Sequence, residues 1–210
     1  FKDGGRELIE VHFNGLQNLI EVLPRNELKR FVQIGSSDEY GNVPAPQHEE
    51  LREQPISPYS LAKLACTHFL QMLHRTENFP AVILRLFLTY GPEQDLNRFV
   101  PQTIRGCLDD KGFPTSEGGQ IRDFCYIEDT VQAIMLSLIV PGAVGEVFNV
   151  ASGKPISIRM MIEKICSYTK TGEPKYGEIP YRASENMELY ANTKKIKQYL
   201  NWQPRMPLEK

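Results

Sequence analysis

The stretch from residue 30 to residue 88 constrains the fold most. A short β-rich run, RFVQIG at 30–35, stops at a glycine and reads as a buried strand. A polar, proline-rich loop follows from Gly41 to Ser57. Ser57-Pro58 then opens a helix, with serine as the N-cap and proline at the first helical position, and the helix runs to about Arg75. Ala81 to Leu88 is a second apolar run, read as the next strand. Strand, helix and strand in that order build a parallel sheet, because parallel strands need a long crossover between them.

The flanking segments extend the alternation. Residues 7–23 carry apolar side chains at Leu8, Val11, Leu16, Leu19, Ile20 and Leu23, the spacing of one apolar helix face, and Pro24 ends the run. Helices are expected at Phe99–Asp109, Glu128–Val140, Ser157–Tyr168 and Thr193–Leu200, with a strand at Gly145–Ala151. The strand pattern thins after about residue 95, which places a smaller lobe at 96–210, interleaved with the last strands of a sheet begun in 1–95. The fold class is α/β with a mostly parallel sheet.

Bulk properties exclude several functions. The 210 residues have a formal net charge of -2, which gives no electrostatic reason to bind nucleic acid or a membrane surface. The best apolar run, Ile134–Val140, is far too short to span a bilayer. No secretory signal is visible, and a cytoplasmic location is expected. Cys66, Cys107, Cys125 and Cys166 form no C-x-x-C pair and stand near no histidine at ligand spacing, so reduced structural thiols and no metal site are expected. The four histidines are scattered and are read as non-catalytic.

Three segments carry the candidate chemistry. Gly35 to Gly41 (GSSDEYG) lies at the carboxyl end of the first strand, where open α/β sheets bind ligands. Tyr59 and Lys63 stand at i and i+4 on the first turns of the next helix and so share one face. Arg122-Asp123-Phe124 precedes a further helix, with Tyr126 and Asp129 close behind. Removing a proton from a hydroxyl while a hydride leaves the same carbon needs a base poised near neutrality. A phenol meets that need only if its pKa of about 10 is lowered, and the Lys63 ammonium together with an oxidised nicotinamide would lower it. Ser36 would hydrogen-bond the same oxygen, and the hydride itself must go to a cofactor.

Taken together, these segments resemble the extended short-chain dehydrogenase/reductases, the group of nucleotide-sugar epimerases and dehydratases. Val11 to Gly15 with Asn18-Leu19-Ile20 resembles that family's N-x-x-G-T-x-N-L-L helix. Leu84 to Pro92 resembles R-x-F-N-x-Y-G-P, and Gly118 to Phe124 resembles G-D-G-x-x-R-D-F. Phe148 to Gly153 resembles Y-N-I-G-S-G, and Asn201-Trp202-Gln203-Pro204 resembles the terminal G-W-x-P. The resemblance implies a partial Rossmann-like, doubly wound sheet with a C-terminal substrate-binding lobe, NAD or NADP as cofactor, and a nucleotide-diphosphate sugar as substrate. It makes Ser36, Tyr59 and Lys63 catalytic, with Asp38 beside them. It also places Tyr59, Lys63 and Phe87 against the cofactor, and Ser37, Leu88 and Arg122 against the substrate, with Arg122 on the pyrophosphate. It further implies a homodimer through helices 7–23 and 58–75.

The chain departs from the family pattern in three places. It has no G-x-x-G-x-x-G loop, so the N-terminal βαβ portion of the dinucleotide domain is expected to be missing and these residues to hold the cofactor weakly by themselves. His12 stands where asparagine is usual, and Leu88 replaces an asparagine that often contacts substrate. Three activities follow: an epimerase or 4-ketosugar reductase, a 4,6-dehydratase that uses Asp38 (or Asp38-Glu39) as acid or base, and an inactive fragment with a binding or structural role. Two plain structural alternatives stand beside them, with Asp38 capping its turn and Arg122 pairing with Asp129.

Overall fold

The computed structural model describes residues 4–109, 112–182 and 185–208. Three parallel strands form the central sheet in the order β1-β2-β6: β1 Phe31–Ser36, β2 Ala81–Leu86 and β6 Val147–Val150. Strand β2 lies in the middle, and its run of apolar residues faces both ways. Ala81 and Ile83 join Leu16, Ile20, Leu70 and Leu73 on one face. Val82 and Leu84 join Ala133, Phe148, Ile196 and Trp202 on the other. A strand buried on both faces has no need of polar alternation, which is why Ala81–Leu84 reads as continuously apolar. Full burial of each large side chain here is worth about 1.5–3 kcal/mol.

Helices cover both faces, so the sheet is Rossmann-like. On one side lies α3, Pro58–Glu77, with a broken helix packed beside it. That broken helix is α1 Gly5–Ile9, a π-helical turn at Glu10–Asn14, and α2 Gly15–Val22. The helix expected over 7–23 is thus present from Gly5 to Val22, and the π turn inside it admits about one extra residue per turn. Helix α3 starts as its sequence dictates: Ser57 Oγ accepts from the Ser60 amide at 3.0 Å, Pro58 fills the first position, and Asn78 ends the helix in the left-handed region at φ 53°. On the opposite face lie α5, Ile127–Ile139, and α7, Lys194–Leu200. Trp202 is buried against α5 and donates its indole N–H to the Asp129 carbonyl at 3.0 Å.

A second sheet has the order β3-β5-β7, with β3 Leu88–Tyr90, β5 Ile121–Tyr126 and β7 Pro155–Ser157; β9, Glu188–Leu189, also pairs with β5. The single strand expected over Ala81–Leu88 is thus two strands. The chain leaves the first sheet after Leu86, buries Phe87, and enters the second sheet at Leu88 opposite Phe124. The segment carrying Arg122 is likewise a strand and not merely a lead-in to a helix. Helices α4, Phe99–Leu108, and α6, Ile158–Thr169, pack on each other beneath this second sheet, and β4, Gly112–Pro114, pairs with β8, Glu173–Lys175.

Candidate active site

Strand β1 ends at Ser36, and a 3-10 turn over Ser37–Tyr40 follows at once. Ser36 is the N-cap of that turn: its Oγ accepts from the Asp38 amide at 3.1 Å, and its own amide donates to Glu39 Oε1 at 2.8 Å. Asp38 is therefore not the capping side chain. Its carboxylate lines the cavity instead, beside Ser36, Ser37, Tyr59 and Lys63. This cavity has a volume of about 680 Å³ and opens at the carboxyl ends of β1 and β2. Phe87, Leu88 and Gln94 form another part of its wall. Every residue read from the sequence as catalytic or cofactor-binding meets here.

The charges around Tyr59 run against the first expectation. Burial raises the phenol above its ordinary pKa, and the Asp38 and Glu39 carboxylates push the same way; the Ser36 hydroxyl and Arg98 oppose them. The Lys63 ammonium is turned toward the strand and donates to the Ile34 carbonyl at 2.5 Å. The lowering expected for a general base therefore depends on more positive charge than Arg98 supplies among the described residues. His12, on the π turn, packs edge-on against Tyr59 with ring centroids 5.4 Å apart. Asp38 is also raised: burial dominates, Arg122 and Arg98 pull its carboxyl back down, and Glu185 adds to the rise.

Glu39 is no candidate base. It is fully buried, and its Oε2 accepts from Thr67 Oγ1 and from Arg85 Nε, each at 2.8 Å. Arg85, 1% exposed, also reaches Glu53 at 2.5 Å and stacks over the Tyr40 ring at 4.5 Å. Glu39 thus ties the Ser36 amide, helix α3 and strand β2 together from below. Gly35 leaves room for this, since a Cβ there would stand 2.6 Å from Glu39 Oε1.

Arg122 opens a second cavity, of about 520 Å³, lined also by Phe99, Phe113, Ile162, Tyr181 and Glu185. Leu88 lines this cavity and the first, so the two adjoin. Arg122 donates to Glu185 Oε1 at 2.5 Å. Asp129 is occupied elsewhere, accepting the Arg205 and Met206 amides at 2.9 Å each, so the Arg122-Asp129 pair does not form. Glu185, Arg98 and the pairing of Glu39 with Arg85 escaped the sequence reading: Glu185 and Arg98 lie outside the motifs, and the pair joins two motif-bearing segments 46 residues apart. The neighbouring Asp123 is structural, accepting from the Ser152 amide at 2.7 Å and the Gly153 amide at 3.0 Å.

Known proteins place this fold. The profile of the NAD dependent epimerase/dehydratase family matches residues 3–151. A dTDP-glucose 4,6-dehydratase of Streptomyces niveus is 29% identical over 194 residues, covering 91% of this chain and 57% of its own length. A UDP-glucuronic acid 4-epimerase from Bacillus cereus, solved with UDP-glucuronic acid and NAD, superposes with a TM-score of 0.88 at 27% identity, over 96% of this chain and 64% of that one. RMD from Pseudomonas aeruginosa, solved with NADPH, superposes with a TM-score of 0.88 at 25% identity, over 98% of this chain and 73% of that one. The chain thus spans a little over half of the first relative's length, and it belongs to the NAD dependent epimerase/dehydratase family.

Proposed function

We propose that this chain supplies the catalytic and substrate-binding part of an NAD(P)-dependent enzyme that remodels the sugar of a nucleotide-diphosphate sugar, as an epimerase or 4-ketosugar reductase. The carrying observation is that Ser36, Tyr59 and Lys63 meet in one cavity that adjoins the cavity of Arg122. In this reading residues 1–95 belong to the dinucleotide-binding lobe and 96–210 to the substrate lobe.

The described residues fit the nicotinamide end of such a cofactor. The cavity lies at the carboxyl ends of parallel strands, and Lys63, Tyr59 and Phe87 face it. Among the described residues no strand-to-helix junction of the central sheet carries the glycine cluster that a pyrophosphate requires. When bound, the cofactor takes up or returns the hydride at the sugar carbon. Tyr59 removes the proton from the hydroxyl on that carbon and gives it back in the reverse direction. Ser36 hydrogen-bonds the same oxygen and holds it in line, while Lys63, once turned away from the Ile34 carbonyl, stabilises the phenolate. Arg122 holds the diphosphate through its guanidinium fork, displacing Glu185. Leu88, exposed at the junction, offers the sugar only apolar contact.

A second reading, a 4,6-dehydratase, rests on the Asp38 carboxylate. It faces the cavity, no turn amide engages it, and its pKa is raised, as suits a group that must exchange a proton beside a ketone. Full-length protein incubated with UDP- and dTDP-sugars and either cofactor decides between the readings by product NMR. Epimer or reduced sugar, unchanged in Asp38→Asn, supports the first. Loss of water from the sugar, abolished in Asp38→Asn with a 4-keto sugar accumulating, supports the second. No turnover and no binding of any nucleotide sugar would leave only a structural role and overturn both. The same reading carries a homodimer through helices 7–23 and 58–75, where Val11, Leu19, Leu61 and Met72 are exposed.

A further inference from the structure

We propose that Cys107 and Cys166 form an oxidisable dithiol, a redox modification site that closes to a disulfide between α4 and α6. Their sulfurs lie 3.3 Å apart across the packed helices. A disulfide bond is about 2.05 Å long, so the two must approach by roughly 1.3 Å, within reach of side-chain rotation. Both are free thiols, Cys107 fully buried and Cys166 partly exposed. The other two serve as internal controls: Cys66 and Cys125 are buried and point at the backbone carbonyls of His12 and Tyr126.

The chemistry balances with a low-molecular-weight disulfide as oxidant. The Cys166 thiolate, the one a small molecule can reach, attacks a sulfur of the oxidant; its S–S bond breaks, one thiolate leaves, and a mixed disulfide remains on Cys166. Cys107 then gives up its proton to water and attacks the Cys166 sulfur, expelling the second small thiolate. Two protein thiols are oxidised and one small disulfide is reduced to two thiols. Burial raises the Cys166 thiol to about 11, so the first step is slow at neutral pH and quickens roughly tenfold per pH unit up to that value. The crosslink would tie together the two helices that line the Arg122 cavity, about one turn beyond Thr103 of α4 and Ile162 of α6.

The test treats the full-length protein with oxidised glutathione at pH 7.5 and at pH 9, quenches with acid, alkylates under denaturing conditions and maps the peptides. The expected result is loss of alkylation at Cys107 and Cys166 with retention at Cys66 and Cys125, a peptide joining 107 to 166, faster closure at pH 9, and reversal by dithiothreitol. In Cys107→Ser the reaction should stop at a glutathione adduct on Cys166. Full alkylation of all four cysteines at both pH values, or a glutathione adduct on wild-type Cys166 that never closes onto Cys107, would overturn the proposal.

Discussion

Glu39→Gln is the substitution for which the structure gives the clearest magnitude. Glu39 is fully buried, and its two oxygens receive three hydrogen bonds, from the Ser36 amide, Thr67 Oγ1 and Arg85 Nε. A glutamine can still accept from the Ser36 amide through its oxygen. Its NH2 group, however, then faces two donors, and Arg85 keeps Glu53 as its one carboxylate partner. The loss is two hydrogen bonds to a charged carboxylate, about 1.5–3 kcal/mol each, part of which the Thr67 hydroxyl regains by turning to accept from the new NH2 group. Breaking one side of a buried ion pair costs about 3–5 kcal/mol by direct analogy, so both routes meet near 3–4 kcal/mol. For a chain of this size that lowers Tm by roughly 6–16 °C. Guanidinium denaturation followed by tryptophan fluorescence reads the change, since Trp202 is buried in the core. The midpoint should fall while the m-value stays constant. A loss below 1 kcal/mol would refute the view that the Glu39-Arg85 pair holds β1, β2 and α3 in register under the cavity.

The other predictions concern chemistry and pH. Tyr59→Phe should lower kcat by two or more orders of magnitude and leave the melting temperature within a few degrees of wild type, whereas near wild-type turnover would remove Tyr59 as the acid/base. Arg122→Ala should act mainly on KM, and Glu185→Gln, which frees the guanidinium, should tighten binding of a nucleoside diphosphate in calorimetry; an unchanged KM would make the Arg122-Glu185 pair purely structural. Burial pushes the Glu53 carboxyl up, but the His68 ring 3.6 Å away and the hydrogen bond from Arg85 outweigh it and hold the group near 2, against an ordinary 4.5. A depressed carboxylate stabilises the fold fully above its unfolded value and loses that contribution as pH falls toward 2. Glu53→Gln should therefore flatten the stability profile between pH 4.5 and 2, and an unaltered acid transition would refute the assignment.

What the sequence disclosed follows from how local each signal was. The Ser57-Pro58 start of α3 and the apolar run of β2 are written in adjacent residues, so both elements were legible. Tyr59 and Lys63 were legible for the same reason, their spacing being fixed by one helix. Strand β5 was hidden because its central residue, Asp123, is charged yet fully buried, and its donors at Ser152, Gly153 and Ala191 lie far along the chain. The break between β2 and β3 was hidden because the apolar run continues through it, and nothing local says that Phe87 belongs to neither strand. Glu39 read as a free carboxylate because its partner Arg85 is 46 residues away, and Glu185 went unnoticed because Arg122 is 63 residues away.

The passage of one chain through two sheets bears on how this region can diverge. Leu86 sits opposite Ser36, and two residues later Leu88 sits opposite Phe124, on the strand that carries Arg122. Phe87 is the whole connector. Side chains alternate faces along a strand, so one inserted or deleted residue here would turn Leu88, Thr89 and Tyr90 to the wrong sides of β3. No loop lies between the two strands to absorb the slip. Residues 86–88 can therefore change only by substitution. Variation at Leu88 must arise one side chain at a time.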